Sequence, residues 1–363
     1  MTKAGRRKRG AKTIEDVAHA AGVSAMTVSR VVNQVKNVRE STRAAVLEAI
    51  ELLNYQPNTA ARSLAAGQAT HIGLLYANPS ASYLAQFLIG ALHAARSAGV
   101  HLVIESCESE DADEQAEVTR RFATSDVEGV ILPPPLSESQ PIMAELDAMG
   151  IPIVTVAMGA PRDNSLNVRI DDRAAAYEMT RYLLDLGHRD IGFIKGHPNH
   201  VASTDRYAGF CDALTESGLD CDSAPAEQGY FSYRSGLTAG ERLLARARRP
   251  TAIFASNDDM AAATVSVAHR LGLIVPDDLS IVGFDDTALA TSVWPELTTV
   301  KQPIAAMAEA ALELLIADLR GNRGGAGRTF TERVLSHAMI IRESAARPPG
   351  SRKLAAKNQA RSS

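Results

Sequence analysis

The hydrophobic positions between residues 13 and 55 recur with the period of α-helices, and they predict three short helices. The first begins at Thr13, with Asp16 in the place of a capping-box partner, and Gly22 closes its last turn. The second follows Ser24, and the third covers about residues 41–53. Valine side chains at helical spacing give the second helix a face suited to burial, formed by Val28, Val31 and Val32.

From residue 71 onward the pattern changes to short apolar strands separated by helices. The first series of strands is HIGLLY (71–76), HLVIESC (101–107), VEGVILPPP (127–135), IPIVTVA (151–157) and LNVRID (166–171). A second series is DIGFIKG (190–196), TAIFASND (251–258) and LSIVGFDD (279–286). Strands that alternate with helices predict right-handed βαβ units and parallel sheets. The two consecutive series predict an α/β body with two doubly wound lobes and a cleft between them.

Composition and cysteine usage exclude several protein classes. The 363 residues are 45% hydrophobic and 22% charged, as in an ordinary globular protein, and no apolar run approaches the about 18 residues of a membrane span. No apolar segment follows the basic residues Arg6–Arg9, so we expect no secretory signal. The odd number of cysteines, Cys107, Cys211 and Cys221, predicts free thiols in a reducing cytoplasm rather than a disulfide framework.

The charge distribution indicates where a polyanion would bind. The net charge is -4, but residues 1–66 contain 11 Lys and Arg against 5 Asp and Glu. A basic N-terminal part on an acidic remainder predicts that only the N-terminal part contacts nucleic acid. A solvated basic tail is the alternative for Arg6–Arg9.

The second helix leaves a narrow face outside the predicted core. That face consists of Ala25, Met26, Ser29, Arg30 and Asn33, all small, polar or unbranched. Two helices joined by AAGV predict a helix-turn-helix unit whose second helix enters the DNA major groove. The hydroxyls of Thr13, Ser24 and Thr27 lie at helix starts, where they and the amides can hold phosphates. A three-helix module with a protein partner is the alternative interpretation.

These residues carry a family resemblance. TIEDVAHAAGVSAMTVSRVVNQ, followed by NYQPNTAARSLA, closely resembles the lactose/galactose repressor (LacI/GalR) family. HIGLL, GHRDIGFI, RYAGF, SNDDMA, PDDLSIVGFDD and LTTVKQP extend the resemblance through the body, over about residues 12–343. It implies that the body is periplasmic-binding-protein-like. It also implies that Ala25 and Met26 select operator bases, with Arg30 in the groove. Neither Ala25 nor Met26 can form bidentate hydrogen bonds, so the operator sequence stays open.

The segment after Pro57 resembles the family's hinge. A helix over 58–66 is too short to be stable alone, so we expect it to fold only on DNA. The resemblance implies that Leu64 inserts into the minor groove, with Ala61 beside it and Asn58 in the same DNA-binding segment. A linker that only tethers the two parts is the alternative.

Polar residues at the ends of strands predict a ligand site between the lobes. Carboxylates and amides accept hydrogen bonds from sugar hydroxyls, an aromatic face covers the ring, and arginine forms a fork to hydroxyls or a carboxylate. The resemblance matches Asp171, Arg206, Phe231, Asn257 and Asp285 to effector positions, and Asn78 and Tyr83 lie in the first strand-to-helix loop. For Asp258 and Asp286, a purely structural role as helix caps is an equal expectation. For Phe231, a core aromatic is the alternative to a stacking face. A sugar acid or a nucleobase is the alternative effector.

Other chemistry has little support in the sequence. The spacing of His197 and His200 resembles that of two metal ligands, but no third ligand is apparent in the sequence and loop histidines are usually solvated. We therefore expect no metal and no cofactor. The phosphate-binding and nucleophile motifs G-x-G-x-x-G, GxxxxGK[ST] and G-x-S-x-G do not occur in the required contexts. We therefore expect no enzyme. A sugar-binding transport protein and a sugar-acting enzyme are the alternatives to a regulator.

The predicted organisation follows from these segments. Residues 1–11 form a disordered basic arm, 12–56 the helix-turn-helix domain, 57–69 the hinge, 70–343 the two-lobed body and 344–363 a disordered tail. We expect a repressor of carbohydrate uptake or catabolism genes that acts in the cytoplasm, on the nucleoid, as a homodimer on a near-palindromic operator. The tail lacks a leucine heptad, so we expect dimers rather than tetramers.

Overall fold

The computed structural model describes residues 13–32, 38–53, 70–159, 165–321 and 330–349. The chain divides into two units between Ala69 and Thr70. Four residues with predicted DNA contacts, Asn33, Asn58, Ala61 and Leu64, lie outside the described residues, as do the basic arm and the hinge segment. The two units, called here the head and the body, are described separately.

The head contains three helices, α1 (Ile14–Ala21), α2 (Ala25–Val32) and α3 (Glu40–Leu52). The predicted capping box is present: the Thr13 hydroxyl accepts from the Asp16 N–H, and the Asp16 carboxylate accepts from the Thr13 N–H at 2.7 Å. Gly22 ends α1 in the left-handed region (φ 63°), a conformation that costs a residue with a Cβ atom. The turn between α1 and α2 therefore lies where the sequence predicts it.

A small apolar core joins the three helices of the head. Val28 is fully buried and Val31 nearly so, which confirms the predicted inward face of α2 for these two valines. The buried core consists of Val17, Ala18, Val28, Val31, Val46 and Ala49. Ala18 is the small residue that lets α1 and α2 cross closely.

The first lobe of the body is built on a parallel six-stranded sheet. Its strand order is β11-β5-β4-β3-β1-β2. The strands are β1 (His71–Tyr76), β2 (His101–Ser106), β3 (Gly129–Leu132), β4 (Ile153–Val156), β5 (Leu166–Arg169) and β11 (Thr331–Val334). The helices of this lobe are α4 (Ala81–Ala98), α5 (Ala112–Ala123), α6 (Gln140–Ala148) and α11 (Ile304–Gly321), with a 3₁₀ turn at Leu136–Glu138.

The second lobe has the same architecture, with the strand order β12-β10-β9-β8-β6-β7. Its strands are β6 (Ile191–Lys195), β7 (Ala226–Gln228), β8 (Ala252–Ala255), β9 (Ser280–Asp285), β10 (Thr298–Lys301) and β12 (Ala338–Ile340), which alone pairs antiparallel among these described strands. Its helices are α7 (Asp172–Asp185), α8 (Val201–Glu216), α9 (Tyr233–Leu244) and α10 (Asp258–Arg270), with a 3₁₀ turn at Ala288–Thr291. The predicted α/β class with a helical head is confirmed.

The lobes are not the two consecutive runs that the sequence pattern predicts. Helix α11 and strand β11 come late in the chain, yet they belong to the first lobe, where β11 pairs with β5. The chain therefore crosses between the lobes after β5, after β10 and after β11. The strand pattern does not reveal this because β11 (TERV) is short and mostly polar.

Two further expectations are corrected by the structure. Residues 344–349 belong to the body rather than to a disordered tail, because Ser344 is buried and its hydroxyl accepts from the Thr298 N–H at 2.9 Å. Cys211 and Cys221 form a disulfide instead of free thiols, since α8 brings Cys211 to the loop before β7; Cys107 is free and buried. Among the described residues, no helix has the length and apolarity required to span a membrane.

Candidate functional site

The exposed part of α2 includes two of the residues predicted to enter DNA. Met26 is 67% exposed and Arg30 is also exposed, while Ser29 is half-buried. Ala25 packs partly against the head core, so its methyl group presents only part of its surface. Helix α2 thus offers a narrow outer face supported by the valine core.

The hydroxyl groups at the helix starts already have partners within the head. The Ser24 hydroxyl accepts from the Thr27 N–H at 3.2 Å and lies 2.9 Å from the Thr27 hydroxyl. Thr13 is exposed and caps α1. These contacts fix the starts of both helices, where the unpaired N–H groups and the helix dipole favour an anion such as phosphate.

A cavity lies between the two lobes of the body, at the carboxyl ends of the strands. Six of the seven predicted effector residues line it: Asn78, Tyr83, Arg206, Phe231, Asn257 and Asp285. The other lining residues are Pro79, Ser80, Pro134, Glu138, Ala157, His200, Ala202 and Gln302. This space is called the inner cavity below.

The seventh predicted residue, Asp171, does not line the inner cavity. It is exposed and caps α7 by accepting from the Ala174 N–H at 2.9 Å. The next residue, Asp172, is the buried one, and its carboxylate lies 2.8 Å from Arg206 Nε. The sequence analysis missed Asp172. The position of two acidic residues after a strand predicts a site there, but it does not show which of the two side chains points into the protein.

Arg206 is the central charge of the site. It is buried and pairs with Asp172; its Nη1 also donates to the Ser256 carbonyl and lies 3.8 Å from Asp285 Oδ1. Its guanidinium carbon stands 3.6 Å from the centroid of the Phe284 ring. A buried arginine requires such partners, since an unpaired charge in this position is very costly. Its positive charge is therefore already compensated by protein carboxylates.

Asp285 ends β9 inside the inner cavity. The Gln302 amide donates to Asp285 Oδ1 at 2.6 Å. Burial raises the pKa of Asp285, while Arg206 and the Gln302 hydrogen bond act in the opposite direction. Gln302 was missed although a signal existed, because it directly follows β10 just as the predicted acids follow their strands.

Phe231 is held as a face of the cavity rather than as a core residue. It lies against Gly196, where an added Cβ atom would come within 2.0 Å of the ring. Asn257, which caps α10, donates from its amide to the Phe231 carbonyl at 2.9 Å. Phe231, Ala157 and Asp285 have φ angles of 57°, 58° and 111°, and all three line the cavity. Positive φ at residues other than glycine is strained, and such strain is concentrated at functional sites.

Two polar side chains of the cavity are open to a ligand. Within the described residues, the buried Tyr83 hydroxyl has no hydrogen-bond partner. Burial and the nearby Asp285 carboxylate raise the pKa of Tyr83, so its hydroxyl keeps its proton. His200 is 9% exposed, and burial together with His197 and Arg206 lowers its pKa to about 4. The expectation that both loop histidines are solvated is therefore wrong for His200.

Glu138 joins the lobes at the edge of the cavity. It lies in the 3₁₀ turn of the first lobe, and both of its carboxylate oxygens accept from the Val201 N–H of the second lobe at 3.1 Å. Burial raises the pKa of Glu138 to about 7, although hydrogen bonds from the Val201 and Gly159 amides oppose the shift. No sequence motif marks Glu138, since its role depends on the start of α8 in the other lobe.

Two other hydrogen bonds connect the lobes near the cavity. The Ser80 hydroxyl, which caps α4, donates to Asp259 Oδ2 at 2.6 Å. The Gln86 amide donates to the Asp286 carbonyl at 3.3 Å. Because α4 also carries Tyr83, these bonds connect the second lobe to a helix that lines the cavity.

The remaining strand-end acids have structural contacts. Asp258 is buried and accepts from the Thr287 N–H at 2.8 Å and the Thr299 hydroxyl at 2.6 Å. Asp286 pairs with Arg342 at 2.6 Å. Neither lines the inner cavity. Among the residues that the structure describes, no group of three or more His, Cys, Asp or Glu side chains is arranged to hold a metal ion.

Comparison with known sequences identifies both units. Residues 13–58 match the model of bacterial regulatory proteins of the lacI family, and residues 180–345 match that of a periplasmic binding protein-like domain. Catabolite control protein A of Priestia megaterium is 36% identical over 304 residues, 84% of this chain and 91% of that protein. The HTH-type transcriptional repressor PurR of Serratia proteamaculans is 36% identical over 306 residues, 84% of this chain and 89% of that protein.

Solved structures agree with the sequence matches. A complex of the transcriptional regulator CelR with cellobiose has a TM-score of 0.70 and 31% identity, over 92% of this chain and 100% of that chain. The Lac repressor dimer bound to operator and the anti-inducer ONPF has a TM-score of 0.67 and 27% identity, over 93% and 100%. Regulators of this kind bind operator DNA as dimers and respond to small-molecule effectors. The chain therefore belongs to the LacI family of bacterial regulatory proteins and is a DNA-binding transcriptional repressor, not an enzyme.

Proposed function

We propose that this repressor controls genes of carbohydrate uptake or catabolism, and that an uncharged sugar in the inner cavity is its effector. The observation that carries the proposal is the pairing of Arg206. Its charge is compensated by Asp172 and Asp285, so the inner cavity has no free cation for an anionic ligand among its described lining residues.

The other groups of the cavity suit sugar hydroxyls. Asp285, Asn257 and Glu138 supply acceptor oxygens. The Tyr83 hydroxyl has no hydrogen-bond partner among the described residues, and the His200 ring also lines the cavity. Phe231 covers one side with an aromatic face, which suits the C–H face of a sugar ring. Pockets of this kind combine apolar walls with a few polar groups that fix orientation. A CelR relative has been solved with cellobiose, and a LacI-family regulator from Enterococcus faecium with ribose.

A sugar acid and a nucleobase are the alternative effectors. A sugar acid requires a cation that is free to pair with its carboxylate, and Arg206 is already engaged by two carboxylates. A nucleobase would stack on Phe231, but the many acceptor oxygens around it favour a ligand with many donors. Both alternatives belong in the ligand panel described below.

The proposed DNA interface consists of the outer face of α2 and the hinge segment. Met26, Ser29, Arg30, the partly packed Ala25 and Asn33 face the major groove, while Thr13, Ser24 and Thr27 hold phosphates. Asn58, Ala61 and Leu64 bind the minor groove at the operator centre. Each operator half-site binds one head of the dimer, so the operator is near-palindromic. Such a repressor acts on the nucleoid, in the cytoplasm.

The direct test is fluorescence anisotropy with a DNA fragment from upstream of the protein's own gene. A scrambled fragment serves as the control at fixed physiological salt, and sugars, sugar acids and nucleobases are then added to the bound complex. We expect a specificity ratio of about 10³ or more and release or tightening by one sugar, which also gives the sign of control. A response only to an anion or to a nucleobase would refute the sugar effector.

An Asp285→Ala variant locates the response. We expect it to bind the same DNA fragment with unchanged affinity and to lose the sugar response, because the cavity loses its central acceptor. An intact sugar response in this variant would show that the effector binds elsewhere.

A further inference from the structure

The cleft between the lobes continues outward from the inner cavity. A second and larger space, called here the outer cleft, shares the lining residues Asn78, Pro79, Glu138 and His200 with the inner cavity, so the two spaces adjoin. Residues 107–110 of the first lobe and the loops that carry His197 and Tyr230 in the second lobe form its walls. The cleft therefore offers more room than the inner cavity alone.

A row of aromatic rings runs from the inner cavity into the outer cleft. The Phe231 and His200 ring centroids are 5.6 Å apart with an interplanar angle of 17°. The His200 and His197 rings are stacked at 4.6 Å, and Tyr230 stands edge-on to His197 at 5.5 Å. Each step is close to the width of one sugar ring, so the full row is longer than a monosaccharide.

The hydrogen bonds of the two histidines differ. His197 Nδ1 accepts from the Asn199 N–H at 3.2 Å, and its Nε2 faces Glu110 at 3.5 Å. These contacts fix the orientation of the His197 ring. The His200 ring has no hydrogen-bond partner among the described residues, is over nine-tenths buried, and lines both spaces. The His200 ring nitrogens are therefore available to a ligand at the junction of the two spaces.

The charge of the outer cleft limits the ligand. Glu108, Glu110 and Glu138 line it, and its described lining includes no lysine or arginine. An anionic group such as a phosphate would therefore meet only like charge there. Tyr230 is 48% exposed and offers its ring to the solvent side of the cleft.

We propose that the effector is an uncharged disaccharide or longer oligosaccharide, with one ring in the inner cavity and the next in the outer cleft against Tyr230 and His197. This inference rests on the proposed sugar effector and specifies its length. His200 binds at the junction between the two rings, where its open nitrogens meet the hydroxyls beside the linkage.

The test is isothermal titration of the full chain with single and linked sugars. Glucose, galactose and xylose are compared with cellobiose, maltose, lactose and xylobiose, and glucose 6-phosphate serves as the anionic probe. We expect at least one disaccharide to bind about tenfold or more tightly than each of its component sugars. Glucose 6-phosphate should bind more weakly than glucose.

A matched pair of tyrosine variants then assigns the second ring. Tyr230→Ala should remove the advantage of the disaccharide and leave monosaccharide affinity unchanged. Tyr233→Ala is the control, since Tyr233 is similarly exposed (40%) but its hydroxyl bonds to Ser266 outside the cleft lining. A monosaccharide that binds as tightly as every disaccharide, or a disaccharide advantage that survives Tyr230→Ala, would overturn the inference. Failure of every sugar to bind would instead contradict the proposed function itself.

Discussion

The outer face of α2 and the lining of the inner cavity are both recognition surfaces, but they are built in opposite ways. The α2 face is exposed, and its support comes from apolar contacts beneath it, above all the buried Val28 and Val31. The cavity lining is buried, and its support comes from polar contacts such as Arg206 with Asp172. The outer residues of α2 can thus be substituted at little cost in stability, whereas a substitution in the cavity disturbs a network of hydrogen bonds and ion pairs.

The largest expected effect is the loss of a buried charge in the body. Arg206→Ala should lower the free energy of unfolding by about 3–5 kcal/mol, because it leaves the Asp172 carboxylate buried without its partner. Arg173→Ala is the matched control: its pair with Asp212 is 2.6 Å long but exposed, so the loss should be much smaller than for Arg206→Ala. Urea unfolding of the full chain measures both. Equal losses would show that burial does not set the cost.

The hinge gives the next effect, on DNA binding alone. Leu64→Ala should reduce specific operator affinity by about 100-fold and leave non-specific binding nearly intact, because it removes the side chain proposed to open the central base step. Leu271→Ala, an exposed leucine of the second lobe, is the control. Anisotropy titrations against operator and scrambled DNA report both values, and unchanged operator affinity would remove this role of Leu64.

Within the head, a buried and an exposed residue of α2 should separate stability from recognition. Val28→Ala should destabilise the head by about 2 kcal/mol through the lost methyl groups and the remaining cavity. Met26→Ala should change head stability by less than about 0.5 kcal/mol but weaken operator binding several-fold. Calorimetry and anisotropy on the same samples distinguish the two. A stability loss in Met26→Ala similar to that of Val28→Ala would contradict the conclusion that the outer face of α2 contributes little to the stability of the head.

A last expected effect is a pH dependence of stability from Glu138. Its pKa in the folded chain is raised to about 7, so the folded state holds the proton more tightly than the unfolded state. The resulting stability is present at low pH and is lost as the pH rises through about 7. Glu138→Gln should therefore show a smaller decline in unfolding free energy between pH 5 and pH 8 than the wild type. An identical decline in both proteins would mean that Glu138 does not contribute.

The sequence predicted the head and the strand positions closely. The capping box at Thr13, the turn at Gly22 and the valine face of α2 depend on neighbours within a few residues, which periodicity reveals directly. Six of the seven effector residues that it predicted line the inner cavity, because strand ends converge at one edge of a parallel sheet. The exception was Asp171, which follows β5. Asp171 and its neighbour Asp172 are both acidic, and only tertiary packing decides that Asp172 is the buried one.

What the sequence could not supply are contacts between distant segments. Glu138 meets the start of α8 across the cleft, and Cys221 meets Cys211 across a turn of the second lobe. The return of β11 to the first sheet likewise depends on a crossover far from its partner β5.

The sequence by itself determined the helices and strands, the α/β class and the types of side chain that are available to contact DNA and to bind the effector. Local period and strand-end position determine those properties. The tertiary structure decided which polar groups are buried together, and so which carry a compensated charge and which stay open to a ligand. Burial and charge pairing depend on segments far apart in the chain: Arg206 on α8 acquires Asp172, the Ser256 carbonyl and Asp285 as partners only when separate segments of the second lobe pack together.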